Sequence, residues 1–321
     1  MATYITRRLI QGVIVLLCVS FICFVIFRYT GDPVVTLAGV YSTIQDREEI
    51  RRAYGLDRPV IVQYVSFIAR AAKGDFGNSY VTRVPAFGLI MERFPATVEL
   101  VVTAVILALV LGTGLGVLVS LKPYAATNRL IMAASLGGIS IPTFLIGILL
   151  IMIFSVYLGI LPPFGRGETV TIGFWRTGFL TRSGIAHLIL PALTLTGYQL
   201  AVLLRLTRAG MREVLTEEYI KTAWAKGLSP QRVIFKHALK NVLIPVVTMS
   251  GLMLGELLAF AVVTETIFQW PGMGNLLLKS IYESDQPVIV TYIMLASVII
   301  LSINILVDIT YAFLNPRIRY D

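Results

Sequence analysis

Two histidines, two cysteines and 18 acidic residues are the groups in this 321-residue chain that could hold a metal or relay a proton. His187 and His237 fall at opposite ends of different apolar runs, so no His-paired metal site is expected, and His187 reads as a polar helix-end residue. Cys18 and Cys23 lie in the first apolar run, where reduced thiols behave as small hydrophobes. A phosphate-cradling loop ends in Gly-Lys, and none of the 26 glycines is followed by lysine, so this chain carries no nucleotide loop of the usual form. An intramembrane enzyme would lack a nucleophile and its base. Two features remain. One is Glu256, an acid inside the 24-residue apolar run Asn241 to Thr264. A carboxylate at the centre of a membrane helix costs about 2.5 to 3.5 kcal/mol on insertion scales, so Glu256 must face protein or water. A structural partner and a pore-lining role toward a substrate amino group both satisfy that need. The other is the polar segment Thr216 to Gln231, which carries helix start and stop signals in the middle of an apolar chain.

The elements that position these groups follow from composition. Hydrophobic residues make up 56% and charged residues 14%, with mean hydropathy +0.81, too little polar surface for a soluble globule. A bilayer crossing takes about 20 apolar residues. Six runs qualify: Leu9 to Phe27, Leu100 to Leu121, Leu130 to Gly165, Ser183 to Leu204, Asn241 to Thr264 and Gln286 to Val307. The third is read as one helix kinked near Pro142, with Pro162-Pro163 marking its far end as loop. The first exceeds the core of a cleaved signal peptide and is read as an anchor. One set of connections and termini holds 14 basic residues, eight of them between Arg205 and Lys240, against four (Arg166, Arg176, Arg182, Lys279) in the short opposite loops. Both termini and the Arg205 to Lys240 segment are therefore expected on the cytoplasmic side. The segment Arg28 to Ala96 is too long for that rule, and its nine basic residues nearly match seven acids.

That long segment predicts a charged helix over Asp46 to Tyr54 closed by Gly55, a helix with one greasy face over Val60 to Lys73, a break at Gly74 to Asn78, and a short helix over Ala86 to Phe94. It reads as a cap on the outer face or as a platform for an external partner. In the cytoplasmic segment, Thr216 suits an N-cap, Gly227 the left-handed stop, and Ser229-Pro230 a helix restart. Ala223 keeps the inner face small, so that another surface can approach the backbone closely. Three uses fit this pair of short helices: a DNA-reading bend, an amphipathic helix among anionic lipids, or a rigid knob for a cytoplasmic protein. Membrane runs on both sides count against DNA, and Glu217 and Glu218 count against anionic lipid. Glu99 and Asp308 sit near helix ends, where interfacial water is in reach, and Gly112-x-x-x-Gly116 and Gly251-x-x-x-Gly255 offer grooves for close helix approach.

The stretch Glu218 to Ser229, followed by His237-Ala238-Leu239-Lys240-Asn241 and Leu243-Ile244-Pro245-Val246-Val247-Thr248, resembles the coupling region of ABC importer permeases of the dipeptide and oligopeptide class. Gly31-Asp32-Pro33, Glu265 with Trp270-Pro271-Gly272-Met273-Gly274, and Asn315 to Tyr320 resemble the same family, so the likeness spans the chain. The Glu-Ala-Ala of the broader importer motif stands here as Lys221-Thr222-Ala223, and Pro245 follows Gly227 by 18 residues, later than in the general pattern. The resemblance implies an all-α integral membrane protein with six transmembrane helices in the type I (MetI-like) importer permease fold. It would comprise an anchor helix and external segment (1–96), a permease domain (97–314) with a coupling helix near 216–228, and a cytoplasmic tail (315–321). Coupling to an ATPase subunit would fall on Glu217, Glu218, Thr222, Ala223, Lys226, Gly227, Leu228 and Ser229, with Glu256 a candidate for the translocation path. The implied partners are a second related permease, two cytoplasmic ATP-binding subunits that hold ATP and Mg, an external solute-binding protein and the lipids of a bacterial inner membrane. No cofactor on this chain and no nucleic acid are implied. The rival from the residues alone is an ion-coupled carrier relaying protons through Glu256 and Asp308.

Overall fold

In the computed structural model the described residues are 2–30, 34, 43–53, 57–121 and 126–314. Gly31-Asp32-Pro33, Tyr54, Gly55 and the tail from Asn315 lie outside them. The elements in chain order are α1 (Ala2–Thr30), α2 (Ile44–Ala53), α3 (Val60–Ala71), α4 (Ala86–Leu121), α5 (Ala126–Ser140), α6 (Thr143–Leu150, continued by a π turn Ile151–Tyr157), β1 (Val170–Ile172), β2 (Trp175–Thr177), α7 (Arg182–Val214), α8 (Glu218–Ala225), a π turn Arg232–Ala238 leading into α9 (Leu239–Ile267), α10 (Met273–Tyr282) and α11 (Gln286–Leu314).

Among the described residues five helices are long and apolar enough to cross a membrane, against six expected spans. The difference lies in the third apolar run. It is not one helix, because Ile141 and Pro142 separate α5 from α6, and Pro142 caps the second piece in an extended conformation. Proline has no N–H to donate and drives the residue before it out of the helical region, so the run breaks where a kink was expected. The reverse holds at Pro95. The short helix expected over Ala86 to Phe94 is the first part of the 36-residue α4, which runs straight through Pro95. The helix expected to restart at Ser229-Pro230 likewise continues as α9 to Ile267. The all-helical expectation needs one correction, an antiparallel pair of three-residue strands with Val170 opposite Thr177. These strands are too short for a period-2 pattern to show.

The described chain forms two compact units, Met1–Phe94 with Leu276–Leu301 and Pro95–Asn275 with Ser302–Asp321. In the first, α3 lies against α1. The Tyr64 hydroxyl donates to the Leu17 carbonyl at 3.1 Å and meets the Ser20 hydroxyl at 2.9 Å, while Phe21 and Phe24 pack on its ring. The Asp46 carboxylate accepts from the Thr43 hydroxyl and backbone N–H at the start of α2, which holds its pKa below the usual range.

The second unit is built on glycine contacts. A Cβ on Gly112 would stand 2.9 Å from Leu203 Cβ, and one on Gly116 would stand 2.6 Å from Thr207 Cβ, so this pair seats α4 against α7. Gly251 lies against Val307 and so seats α9 against α11. Gly112, Gly116 and Gly251 thus each meet another helix of the chain.

Candidate coupling site

Helix α7 does not stop with its apolar run at Leu204 but continues to Val214, carrying the polar segment on a regular helical stalk. The chain turns at Leu215 and Thr216. The Thr216 hydroxyl donates back to the Glu213 carbonyl at 2.7 Å, so it closes α7 and does not cap α8. The N-cap is Glu217, in extended conformation with no side-chain capping bond, and its carbonyl accepts from the Ile220 N–H at 3.0 Å.

The end of α8 is a complete Schellman turn. Gly227 takes φ +71°, its N–H reaches the Trp224 carbonyl at 2.9 Å, and the Leu228 N–H reaches the Ala223 carbonyl at 3.3 Å. Such a turn needs a residue at ease in the left-handed region, and glycine is the usual one. Open space surrounds Gly227, with nothing within 4 Å of where a Cβ would stand. Its requirement is conformational rather than steric.

Ile220 and Ala223 point inward and join a buried cluster with Met211, Val233, Ala238 and Val242, against which Leu228 packs. The small inner face at Ala223 is therefore approached by the chain's own core, and Ala223 is not open to a partner protein. Another protein would meet the opposite face, where Glu217, Glu218, Lys221, Thr222, Trp224, Lys226 and Ser229 are exposed. Lys221 Nζ pairs with Glu218 Oε1 at 2.7 Å, and Asn241 Nδ2 donates to the Tyr219 hydroxyl at 2.6 Å, tying the elbow to the base of α9. The result is a knob held from behind by hydrophobic packing and presenting a mixed-charge face.

Glu256 is exposed on α9, on one face with Met249, Leu252 and Val263, while Met253, Leu257 and Ala261 on the other side are buried. Neither Glu99 nor Glu265 is free in this way. Glu99, expected to reach interfacial water, is instead buried and pairs with Arg166 Nη2 at 2.6 Å, with the Gly178 N–H at 3.3 Å from the same oxygen. Arg166 also donates to the Arg176 carbonyl at 2.5 Å, and its guanidinium lies 5.8 Å from the centre of the Trp270 ring, within cation–π range. Glu265 is fully buried. It accepts from the Thr97 hydroxyl at 2.6 Å and the Asn275 N–H at 3.0 Å, while the Thr97 oxygen accepts from the Met273 N–H at 2.8 Å. Thr97 and Glu265 thus cap the start of α10 together, and Trp270 Nε1 donates to the Ala96 carbonyl at 2.9 Å. Sequence reasoning singled out Glu265 and Trp270 but not their partners, and no local signal joins Glu99 to Arg166 across 67 positions. His187 Nδ1 lies 2.7 Å from the Ser183 carbonyl in the first turn of α7, a helix-end contact. Among the described residues no group of three or more His, Cys, Asp or Glu could hold a metal.

Residues 108–320 match the family described as binding-protein-dependent transport system inner membrane component, and residues 1–101 match the corresponding N-terminal membrane component. The chain is 40% identical, over the full length of both partners, to the oligopeptide transport system permease protein AppB of Bacillus subtilis (strain 168). It has the same identity and full coverage with the di/tripeptide transport system permease protein DppB of Pseudomonas aeruginosa (strain UCBPP-PA14) and the glutathione transport system permease protein GsiC of Escherichia coli (strain K12). Among solved structures it resembles a chain of the inward-facing MetNI methionine ABC transporter, with TM-score 0.57 and 18% identity, covering 71% of this chain and 96% of that one. That likeness is one of fold.

Proposed function

The chain belongs to the family of binding-protein-dependent transport system inner membrane components, and from that premise we propose that it forms part of the path by which short peptides, glutathione among them, enter the cell. It is the membrane permease component and not a catalyst. Family membership displaces the ion-coupled carrier, and ATP and Mg belong on partner subunits. The proposed assembly pairs this chain with a second related permease, two cytoplasmic ATP-binding subunits and an external solute-binding protein. The full-length relatives named for oligopeptide, di/tripeptide and glutathione transport support the peptide class.

Six crossings follow if α5 and α6 together supply the third, beside the five long helices. Both termini then lie on one side, and the excess of basic residues there supports the cytoplasm. Residues 1–96 serve as anchor and external segment, 97–314 as the permease domain and 315–321 as the tail.

The observation that carries the mechanism is the elbow at Gly227, clamped from behind and open in front. Glu217, Glu218, Thr222, Lys226 and Ser229 form its contact face toward an ATPase subunit, while Ala223, Gly227 and Leu228 set its shape. When the ATPase pair closes, a rigid elbow transmits the displacement into α7 and α9, which it joins, and so to the path between the permeases. The test is ATP-driven uptake by Gly227→Val against Gly227→Asn. Valine is strained at φ +71° and asparagine tolerates it, with equal room for both. Uptake should be lost with valine and largely kept with asparagine, at equal amounts of protein in the membrane. Full uptake by the valine variant would remove the coupling role.

A further inference from the structure

We infer that α3 is an interfacial helix, set in the outer leaflet beside α1 with Ile61, Val62 and Val65 against lipid acyl chains. The choice of leaflet rests on the proposed orientation, with the start of α1 in the cytoplasm. The contact with lipid rests on α3 itself.

Depth is read from what α3 touches. The apolar run of α1 extends from Leu9 to Phe27, roughly 28 Å of helix, close to the thickness of a hydrocarbon layer. The Tyr64 hydroxyl donates to the carbonyl of Leu17, ten residues or roughly 15 Å short of the outer end of that run. The Tyr64 ring packs on Phe21 and Phe24, and Phe67 meets Phe24 with ring centres 6.4 Å apart. A cap resting on headgroups would meet α1 at the level of Phe27 or beyond, whereas these contacts fall inside the run.

The free side of α3 suits that depth. No residue of α3 is buried. Tyr64 and Phe67 turn toward α1, while Ile61 and Val65, one helical turn apart, are 77% and 59% exposed with Val62 exposed beside them. On α1, Val13, Ile14, Leu17 and Phe21 are exposed as well, so the free face of α3 continues the apolar surface of a spanning helix. The basic residues fall at the ends of α3. Arg58 stands exposed before it and Arg70 and Lys73 where it closes, and side chains of that length reach headgroups while the helix body stays among acyl chains. Helix α2 shows the contrast within the same unit. Six of its ten residues are charged, so it cannot share that depth. A helix of a second permease is the competing cover for Ile61 and Val65, and the test separates it from lipid.

The experiment places nitroxide labels on Ile61→Cys, Val65→Cys and Glu49→Cys, one at a time, in the whole transporter with its other cysteines replaced, in vesicles of phosphatidylethanolamine and phosphatidylglycerol. Molecular oxygen concentrates in hydrocarbon, and nickel ethylenediaminediacetate stays in water. Labels at 61 and 65 should respond to oxygen and lose their response to nickel, whereas the label at 49 on α2, an exposed position, should respond chiefly to nickel. A nickel response at 61 and 65 matching that at 49 would put α3 in water and overturn the inference. A weak response to both reagents would mean that protein covers the face, and would overturn it equally. Orientation is read separately, since a membrane-impermeant maleimide should reach Glu49→Cys from outside right-side-out vesicles. Reaction only in inverted vesicles would overturn the outer-leaflet assignment and the orientation behind it, without touching the depth.

Discussion

Arg166 and Glu99 close to 2.6 Å beside Trp270, and Lys221 and Glu218 close to 2.7 Å on the elbow. The first pair is 8% and 2% exposed, the second 61% and 87%. Equal lengths therefore stand in opposite surroundings. In the buried pair the two charges have given up water and depend on each other. In the exposed pair water already satisfies both, and the contact adds little. The glycines repeat the contrast. Gly272 and Gly274 are pressed against the Glu265 carboxylate and Val262, whereas nothing stands within 4 Å of where a Cβ on Gly227 would lie. One region is locked by interior contacts. The other is fixed only from behind, which leaves its front available for one.

The sharpest way to break this contrast is at the buried pair. Arg166→Met leaves Glu99 uncompensated and should cost about 3 to 5 kcal/mol, read as a lowered unfolding midpoint in detergent, while Arg166→Met combined with Glu99→Leu should recover most of the loss. A double variant no better than the single would show that the pair is not the coupled unit described here. Next in size, Gly272→Ala drives a methyl group into the Glu265 carboxylate and should destabilise by about 3 kcal/mol, whereas Gly227→Ala, with room but strained φ, should cost about 1 kcal/mol. If the two substitutions proved equal, crowding at Gly272 would not be the distinguishing feature. The smallest effect belongs to Lys221→Ala, which should shift stability by less than about 1 kcal/mol and less still at high salt. A larger shift would mean that the elbow face is stabilised from its front.

Much of this architecture was legible in the residues because its signals are local. Apolar run length marks the five long helices, and the Gly227 stop with the Ser229-Pro230 restart places the elbow to within a residue. What escaped depends on distant context. Pro95 and Pro142 look alike in sequence, yet α4 continues through one and the chain leaves the helix at the other, a difference that local sequence does not carry. Thr216 looked like a cap, but its hydroxyl serves the helix behind it. Ala223 marks a small inner face in the sequence, and only the fold shows that Met211 and Val233 belong to the cluster that fills it. The joining of Glu99 to Arg166 could not be inferred from either residue's neighbours.

Helix α7 runs ten residues past Leu204, roughly 15 Å along its axis, before the chain bends into the elbow. The headgroup layer on each side of a bilayer is about 5 to 7 Å deep. If the hydrocarbon layer ends at Leu204, the knob would stand clear of phospholipid, like a socket fitting on a raised post. Under the proposed coupling role, a water-soluble motor would grip it without first displacing lipid, and so would engage and release on each cycle while the post stays seated in the membrane.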